Sequence, residues 1–377
     1  METGDRPLIV GAGPVGLAAA LFLAEKGIGT RLVDINQEPS RQSKALAVNP
    51  RTLEILDGVG LTERILAMGT KISGACLWRG DRLAAKIEFA GLKHKYPFML
   101  ALSQATTERL LQESLVAQGG AVERGSRLID CKNEAGRVAA TLDTPGGQEV
   151  YRSPWMLAAD GAHSTARERL AIEFPGSTFR DKWYLADMAL DVALAQDRAH
   201  AFFLPKGEFQ FMIRVIDPQV EGTAVGPLWR VIGNRPHVLE RLATGRVIGA
   251  PIWESDFRIS HRINRTMSSG QVYFAGDAAH IHSPVGARGM NLGIEDAWVL
   301  AQLARRGQLS RYHDLRHGVD RRVVRQVALF SRVVACEPAA LRVVRSLLPV
   351  LLQVGLPTPR MMAIVTGTDH PLGEFAV

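Results

Sequence analysis

The chain has 377 residues, 46% of them hydrophobic, and a formal charge of +7. That length exceeds one ordinary domain and suits two interleaved ones around a large core. Three scattered cysteines, Cys76, Cys131 and Cys336, with no C-x-x-C, argue against a dithiol enzyme or a zinc site and for a reducing cytoplasm. The early apolar run reads as a strand, not a signal peptide. Leu347 to Leu356, the most apolar late run, is too short for a transmembrane segment and contains Pro349. Residues 311–377 carry nine Arg against five acids, an excess of +4. That excess fits a solvated helical surface, or attraction of an anionic ligand or a membrane surface. No basic patch interleaved with aromatics points to nucleic acid.

In chain order, Leu8-Ile9-Val10 predicts a buried strand. Gly11-Ala12-Gly13-Pro14-Val15-Gly16 fits G-x-G-x-x-G, and Val15 to Lys26 predicts a helix stopped at Gly27. Arg31-Leu32-Val33 restarts a strand that ends in Asp34. Strand, glycine turn, helix, strand and terminal acid complete a dinucleotide fingerprint. Gly11 permits the tight turn, Gly13 lets the backbone approach a pyrophosphate, and Gly16 lets helix and strand pack closely. The phosphates sit at the helix N-terminus, and Asp34 accepts hydrogen bonds from an adenosine ribose. The alternative is a glycine-rich turn without a ligand.

Arg41 and Lys44 lie in a polar turn and either reach the pyrophosphate or ribityl chain or form an exposed basic loop. Pro50 to Leu56 begins a helix. Ile72 to Glu88 alternates and predicts a hairpin of a second, sheet-based domain. Thr106 to Gln118 predicts a helix with Leu110, Leu111 and Leu115 inward, and Gln104 just before it is a candidate cofactor contact. Val138–Leu142 and Glu149–Arg152 read as paired strands. Trp155 to Ala159 predicts a buried strand ending in Asp160, with Ser164 capping the helix that follows. From Phe174 to Phe257 short strand-like runs alternate with Gly and Pro. Val272 to Ala275 is a further buried strand ending in Gly276-Asp277. Gly286 to Gly289 opens a helix reaching about Ala304, and Arg321 to Val344 reads as mainly helical, broken by Pro338.

Three motifs then occur in order: GAGPVG at 11–16, DGAHSTAR at 160–167 and GDAAHIHSPVGARGMNLGIEDA at 276–297. With them come Gln104, Glu108 and Leu111 in a Q-x-x-x-E-x-x-L pattern. On these residues the chain resembles the class A FAD-dependent aromatic hydroxylases, over roughly residues 5–310. The resemblance implies that Asp277 binds the ribityl chain and that Asp160 lies near the pyrophosphate and the NAD(P)H path. It also implies that the loop from Pro284 through Gly289 and Met290 to Asn291 lines the flavin ring. A helix opening near Met290 would turn its positive end toward the flavin N1–C2=O edge. Three departures stand out. Lys44 replaces the family's usual Arg, and Gly286-Ala287 replaces a common Gly-Gly. The Tyr312-x-x-x-Arg316 segment lacks its usual proline, with Gly318 in that place.

The implied architecture is an α/β fold with a Rossmann-like FAD-binding domain, an interleaved β-sheet substrate domain and a C-terminal helical region. The discontinuous FAD-binding domain comprises 1–71, 101–175 and 265–305, the substrate domain 72–100 and 176–264, and the helical segment 306–377. By the resemblance, NAD(P)H reduces FAD as a transient co-substrate. O2 then adds at flavin C4a, and a phenolic or polycyclic aromatic substrate is hydroxylated. Baeyer–Villiger or epoxidising chemistry, oxidoreduction without oxygen insertion, and a non-enzymatic FAD-binding protein are the alternatives. Phe209, Phe211, Met212 and Trp229 are candidates for an aromatic substrate pocket, with core packing as their other role. His94, Tyr184 and His237 are candidate acid/base groups. His280 and His282 form an H-x-H pair, with no further ligand cluster to signal a metal.

Overall fold

The computed structural model describes residues 4–39, 45–216, 226–236, 242–284, 286–335, 358–372 and 375. Arg41, Lys44, His237, Cys336, Pro338 and the 347–356 run lie outside the described residues.

The first layer grows from the fingerprint. Strand β1 (Leu8–Val10) feeds helix α1 (Pro14–Glu25), which returns to β2 (Arg31–Asp34). Pro14 at the first helical position suits an N–H that has no partner there. Residues 15–23 of α1 are all buried. A helix apolar on every side is enclosed on every side. Here β1 and β2 lie on one flank, with α2 (Gln104–Ala117) and α3 (Gly289–Arg305) on the others. The sheet adds β3 (Met156–Ala158) and β4 (Val272–Phe274) parallel to β1 on one side, and Val122–Arg124 beyond β2. Ser103, just before α2, accepts the Thr106 N–H and so caps that helix.

The second layer is a nine-stranded sheet. Its centre is β5 (Gly176–Asp191), β6 (Arg198–Phe203), β7 (Phe209–Arg214), β8 (Leu228–Gly233) and β9 (Trp253–Ile263). The hairpin Gly74–Arg79 and Arg82–Glu88 extends one edge, joining β6 in parallel. Period-two alternation gives this sheet two distinct faces. Leu185, Ile232, Phe209 and Phe203 belong to one buried cluster, and Met188, Met212, Trp229 and Val231 to the opposite one. Where short runs are expected between Phe174 and Phe257, β5 and β9 are long strands of 16 and 11 residues. Long strands result because β5 pairs both β8 and β9 along its length.

Helix α4 (Tyr312–Ala335) runs uninterrupted through Gly318. Glycine keeps the N–H that proline would remove, so this helix forms from Tyr312 and not from Arg321. A last helix, α5 (Thr358–Thr366), leads into a strap ending near Leu372. None of the described helices is long and apolar enough to cross a membrane.

Candidate functional site: a dinucleotide crevice opening onto an aromatic floor

The two layers enclose a cavity of about 1430 Å³. One end lies at the fingerprint. Gly11 has φ +100°, and a Cβ there would sit 2.3 Å from the Ala159 carbonyl oxygen. A Cβ on Gly16 would sit 1.8 Å from the Gly11 carbonyl oxygen. Both positions therefore require glycine for packing. Gly13 differs: a Cβ there meets nothing within 4 Å, because it would project into the cavity that Gly13, Pro14 and Val15 line. Asp34 accepts the Ala12 N–H on Oδ2 at 2.6 Å and the Asn36 N–H on Oδ1 at 2.8 Å, and Arg124 lies 3.6 Å from that Oδ1.

Beside this end, Gln104 donates to Glu108 at 2.8 Å and accepts the Ala45 N–H at 3.2 Å. Burial pushes the Glu108 carboxyl up to about 7, against the Gln104 hydrogen bond. Asp160 does not line the cavity. It accepts the Ala166 N–H at 3.2 Å, and burial raises its carboxyl while hydrogen bonds from Ser164 and Ala166 oppose the rise. Its neighbours Gly161, Ala162 and His163 line the wall instead, as does Arg167, whose guanidinium is spent on the Ala278 and Ala162 carbonyls.

Asp277 is exposed toward the cavity from a single turn after β4. Next to it, Pro284, Gly286, Ala287, Arg288, Gly289 and Met290 form the wall that leads into α3. Asn291 stays behind that wall. Its amide donates to the Ala47 and Ala287 carbonyls and accepts the Asn49 N–H at 3.0 Å, so it pins the loop without facing the cavity. Gly286 has φ +100° and Ala287 φ +54°. The positive φ at Ala287 is costly for a residue with a Cβ.

Below the loop lies the sheet floor, in rows set by register. One row is Leu77, Ala201, Phe211, Ile232, Leu185 and Ser255. The next is Ala75, Ala199, Ile213, Arg230, Asp187 and Trp253. Phe203 and Phe209 begin a third. The alanines hollow the floor between large neighbours. Arg230 makes two 2.7 Å bonds to Asp187, which neutralises the charge on this otherwise apolar wall. Phe330 from α4, and Met362 and Val365 from α5, close the sides.

Phe209 and Phe211 thus face the cavity, whereas Trp229 and Met212 do not. Both are buried on the opposite face of the sheet, because β8 presents 228, 230 and 232 inward. His94 and Tyr184 also lie outside the cavity. His94 sits 3.3 Å from Glu54 and accepts the Tyr96 N–H, and Tyr184 occupies the register between Asp256 and Gly233. Burial drives the cavity-lining His282 down to about 3, so its ring is neutral.

Behind the loop is a buried charge network. Asp296 bonds His280 at 2.8 Å, the Gly276 N–H at 3.2 Å and Arg316 at 2.8 Å, and Arg316 reaches Asp320 at 2.9 Å. Burial opposes charge on His280, but Asp296 overcomes it and lifts the ring to about 9. His280, Asp296 and Asp320 have metal-ligand spacing, and Arg316 supplies the cation among them.

The sequence profile of the FAD-binding-domain family matches residues 6–327. The chain belongs to the FAD-dependent aromatic hydroxylase family. It is 34% identical over 368 residues to 6-methylpretetramide 4-monooxygenase of Streptomyces rimosus, covering 94% of this chain and 65% of that protein. It is 30% identical to an uncharacterised aromatic compound monooxygenase, YhjG, of Bacillus subtilis strain 168, covering 92% and 72%. The chain therefore spans about two thirds of the length of these relatives. In fold it is similar to p-nitrophenol 4-monooxygenase of Pseudomonas putida DLL-E4, with TM-score 0.82, 23% identity and 98% of each chain covered.

FAD is the cofactor of this family, and the crevice fits it. The open space over Gly13 at the N-terminus of α1 suits a pyrophosphate, and Asp34, at the end of the neighbouring strand, lines the same crevice. Asp277 and the loop before α3 continue the same wall toward the floor. Motif reading covers most of this wall, Arg288 included within the loop from Pro284 to Asn291, but passes over Arg124 and Arg230, which no motif marks.

Proposed function

We propose that the protein is a monooxygenase that uses NAD(P)H and O2 to hydroxylate a phenolic, polycyclic aromatic substrate. The observation that carries this reading is the continuity of the cavity. It runs from a dinucleotide crevice at Gly13 to an apolar floor at Phe211, and its 1430 Å³ exceeds the room that a single small ligand takes. Bound flavin supplies hydride acceptance and oxygen activation.

The chain's own residues do the rest. The N-terminus of α1 and Asp34 hold the adenosine-diphosphate half, and Asp277 holds the ribityl chain. Gly286 to Met290 would hold the ring, and the N-terminal end of α3 would favour the negative charge that the reduced ring carries. Phe203, Phe209 and Phe211 orient a flat ring system over the hollow at Ala199 and Ala201, and the apolar floor excludes water. The named activities of the relatives support an aromatic substrate, and the apolar floor with its hollow at Ala199 and Ala201 supports a fused-ring one. Buried free thiols at Cys76 and Cys131 fit a reducing, cytoplasmic setting.

The test is direct. Denatured protein is expected to release FAD, and NAD(P)H oxidation is expected to accelerate with the right phenol or polycyclic phenol. The product should gain one atom from labelled O2. Stimulated oxidation with no labelled oxygen in the product would move oxidoreduction without insertion ahead.

A further inference from the structure

Arg288 is the residue immediately before α3, and its guanidinium is fully buried. A cation at the positive end of a helix, out of water, is disfavoured twice over. Its ionic partner among the described residues is Asp369 of the C-terminal strap, at 3.4 Å from Nη2. None of its three guanidinium nitrogens has a hydrogen-bond partner among the described residues. The pair is thus close enough to offset charge and too loose to consume the donors. Arg288 also lines the cavity, beside Ala287 and Gly289.

The strap is held in place by several contacts. Arg51 donates to the Gly367 carbonyl at 3.4 Å and the His370 carbonyl at 3.0 Å. His370 binds Glu295 of α3 at 2.7 Å through Nε2 and Asp369 at 3.1 Å through Nδ1. Gly367 presses so close that a Cβ there would lie 2.8 Å from Arg288 Nη1. The strap therefore brings the Asp369 carboxylate, which also bonds His370, to the buried Arg288, whose charge Glu295 of α3 feels as well, next to the wall assigned above to the flavin ring.

We propose that Asp369 is a positioning residue that attenuates the Arg288 charge behind the flavin loop and thereby sets how easily the bound flavin is reduced. The inference rests on the ring placement proposed above. Hydride transfer from the nicotinamide adds two electrons and one proton to the ring, leaving one negative charge on the N1–C2=O edge. Arg288 favours that charge, and Asp369 opposes it by compensating Arg288.

The experiment measures the reduction potential of bound flavin by dye-equilibrated photoreduction in wild type, Asp369→Asn, Arg288→Met and the double variant. Asp369→Asn is expected to shift the potential positive and Arg288→Met negative. Each shift should reach about tenfold in the reduction equilibrium, about 30 mV for a two-electron couple. The double variant should return toward wild type, because a neutral pair is removed as a unit. Asp369→Glu should keep the wild-type value. Packing damage alone would leave the double variant no closer to wild type than either single. Should Asp369→Asn not fold, Arg288→Met carries the same test of sign. An unchanged or negative shift in a flavin-loaded Asp369→Asn protein, or an unchanged potential in Arg288→Met, overturns the inference. A wild-type protein that carries no FAD overturns instead the reading beneath it, and the inference falls with that reading.

Discussion

The Asp34 carboxylate accepts the Ala12 N–H at 2.6 Å, so the acid that ends β2 also closes the glycine turn that begins the crevice. The same group accepts the Asn36 N–H at 2.8 Å. One side chain therefore fixes the turn, and in the proposed function its remaining lone pairs would receive the adenosine ribose. Asp34→Ala is expected to weaken FAD by about 1–3 kcal/mol, the range for losing charge-assisted hydrogen bonds, and to lower stability as the turn loosens. Titrating apoprotein with FAD and following flavin fluorescence measures the first effect. Equal affinity in wild type and variant refutes the ribose assignment.

Gly13 separates binding from folding. Because a Cβ there meets nothing within 4 Å, Gly13→Val should leave the fold and melting of the apoprotein near wild type. It should abolish FAD retention, because the branched side chain takes the pyrophosphate's place. At Gly11 or Gly16 the same change should unfold the domain, given the backbone atoms a Cβ would strike. FAD bound normally by Gly13→Val would place the cofactor elsewhere.

The buried His280 makes stability depend on pH with a definite sign. Its folded-state value lies near 9 against an ordinary 6.5, despite burial, because Asp296 holds the proton. A raised value means the stabilisation is complete below pH 6.5 and is lost as pH rises through 9. The slope approaches about 1.4 kcal/mol per pH unit for one proton. The informative quantity is the difference in melting temperature between wild type and His280→Gln across pH 6 to 9.5. That difference should be largest at the acid end and shrink toward pH 9. A constant difference would show that His280 is not charged in the fold.

Ala287 at φ +54° holds a conformation that suits glycine, where the family commonly has one. Ala287→Gly removes strain of about 1–2 kcal/mol and adds unfolded-state entropy of about 0.4–1 kcal/mol. The net expectation is a gain of some tenths to about 1 kcal/mol with FAD retained, read by thermal melting. A loss of stability would show that contacts of the Ala287 methyl outweigh the strain.

Local signals made one half of this molecule legible. The strand, turn, helix and acid of residues 8–34 declare themselves by spacing, and Ser164 marks its helix by capping. The sheet floor was legible only in its strands. Which side of a strand faces a cavity depends on partners far along the chain. Phe211 and Trp229 thus looked equivalent in sequence and lie on opposite faces, because Phe211 pairs with Ile232 and Trp229 with Met188. Asn291 shows a second limit. Its motif marks a contact, but its amide is consumed by Ala47, Ala287 and Asn49, whose convergence only the fold produces.

The hollow at Ala199 and Ala201 makes the substrate reading testable without knowing the substrate. These residues sit in adjacent rows of the floor, flanked by Phe211, Ile213 and Leu77. Large side chains on every strand would fill the space, so the alanines are what leave room for a ring system. Ala201→Phe adds a ring into that space from a strand whose backbone is fully paired. FAD content and the flavin spectrum should therefore stay at wild-type values. Affinity for a hydroxyanthraquinone probe, followed by the change in flavin absorbance, should fall at least about tenfold, or 1.4 kcal/mol. A single-ring phenol should be affected less, since it needs less of the hollow. If Ala201→Phe binds the tricyclic probe as wild type does, the floor is not the substrate site. If phenol and probe lose affinity equally, the cavity is not built for fused rings.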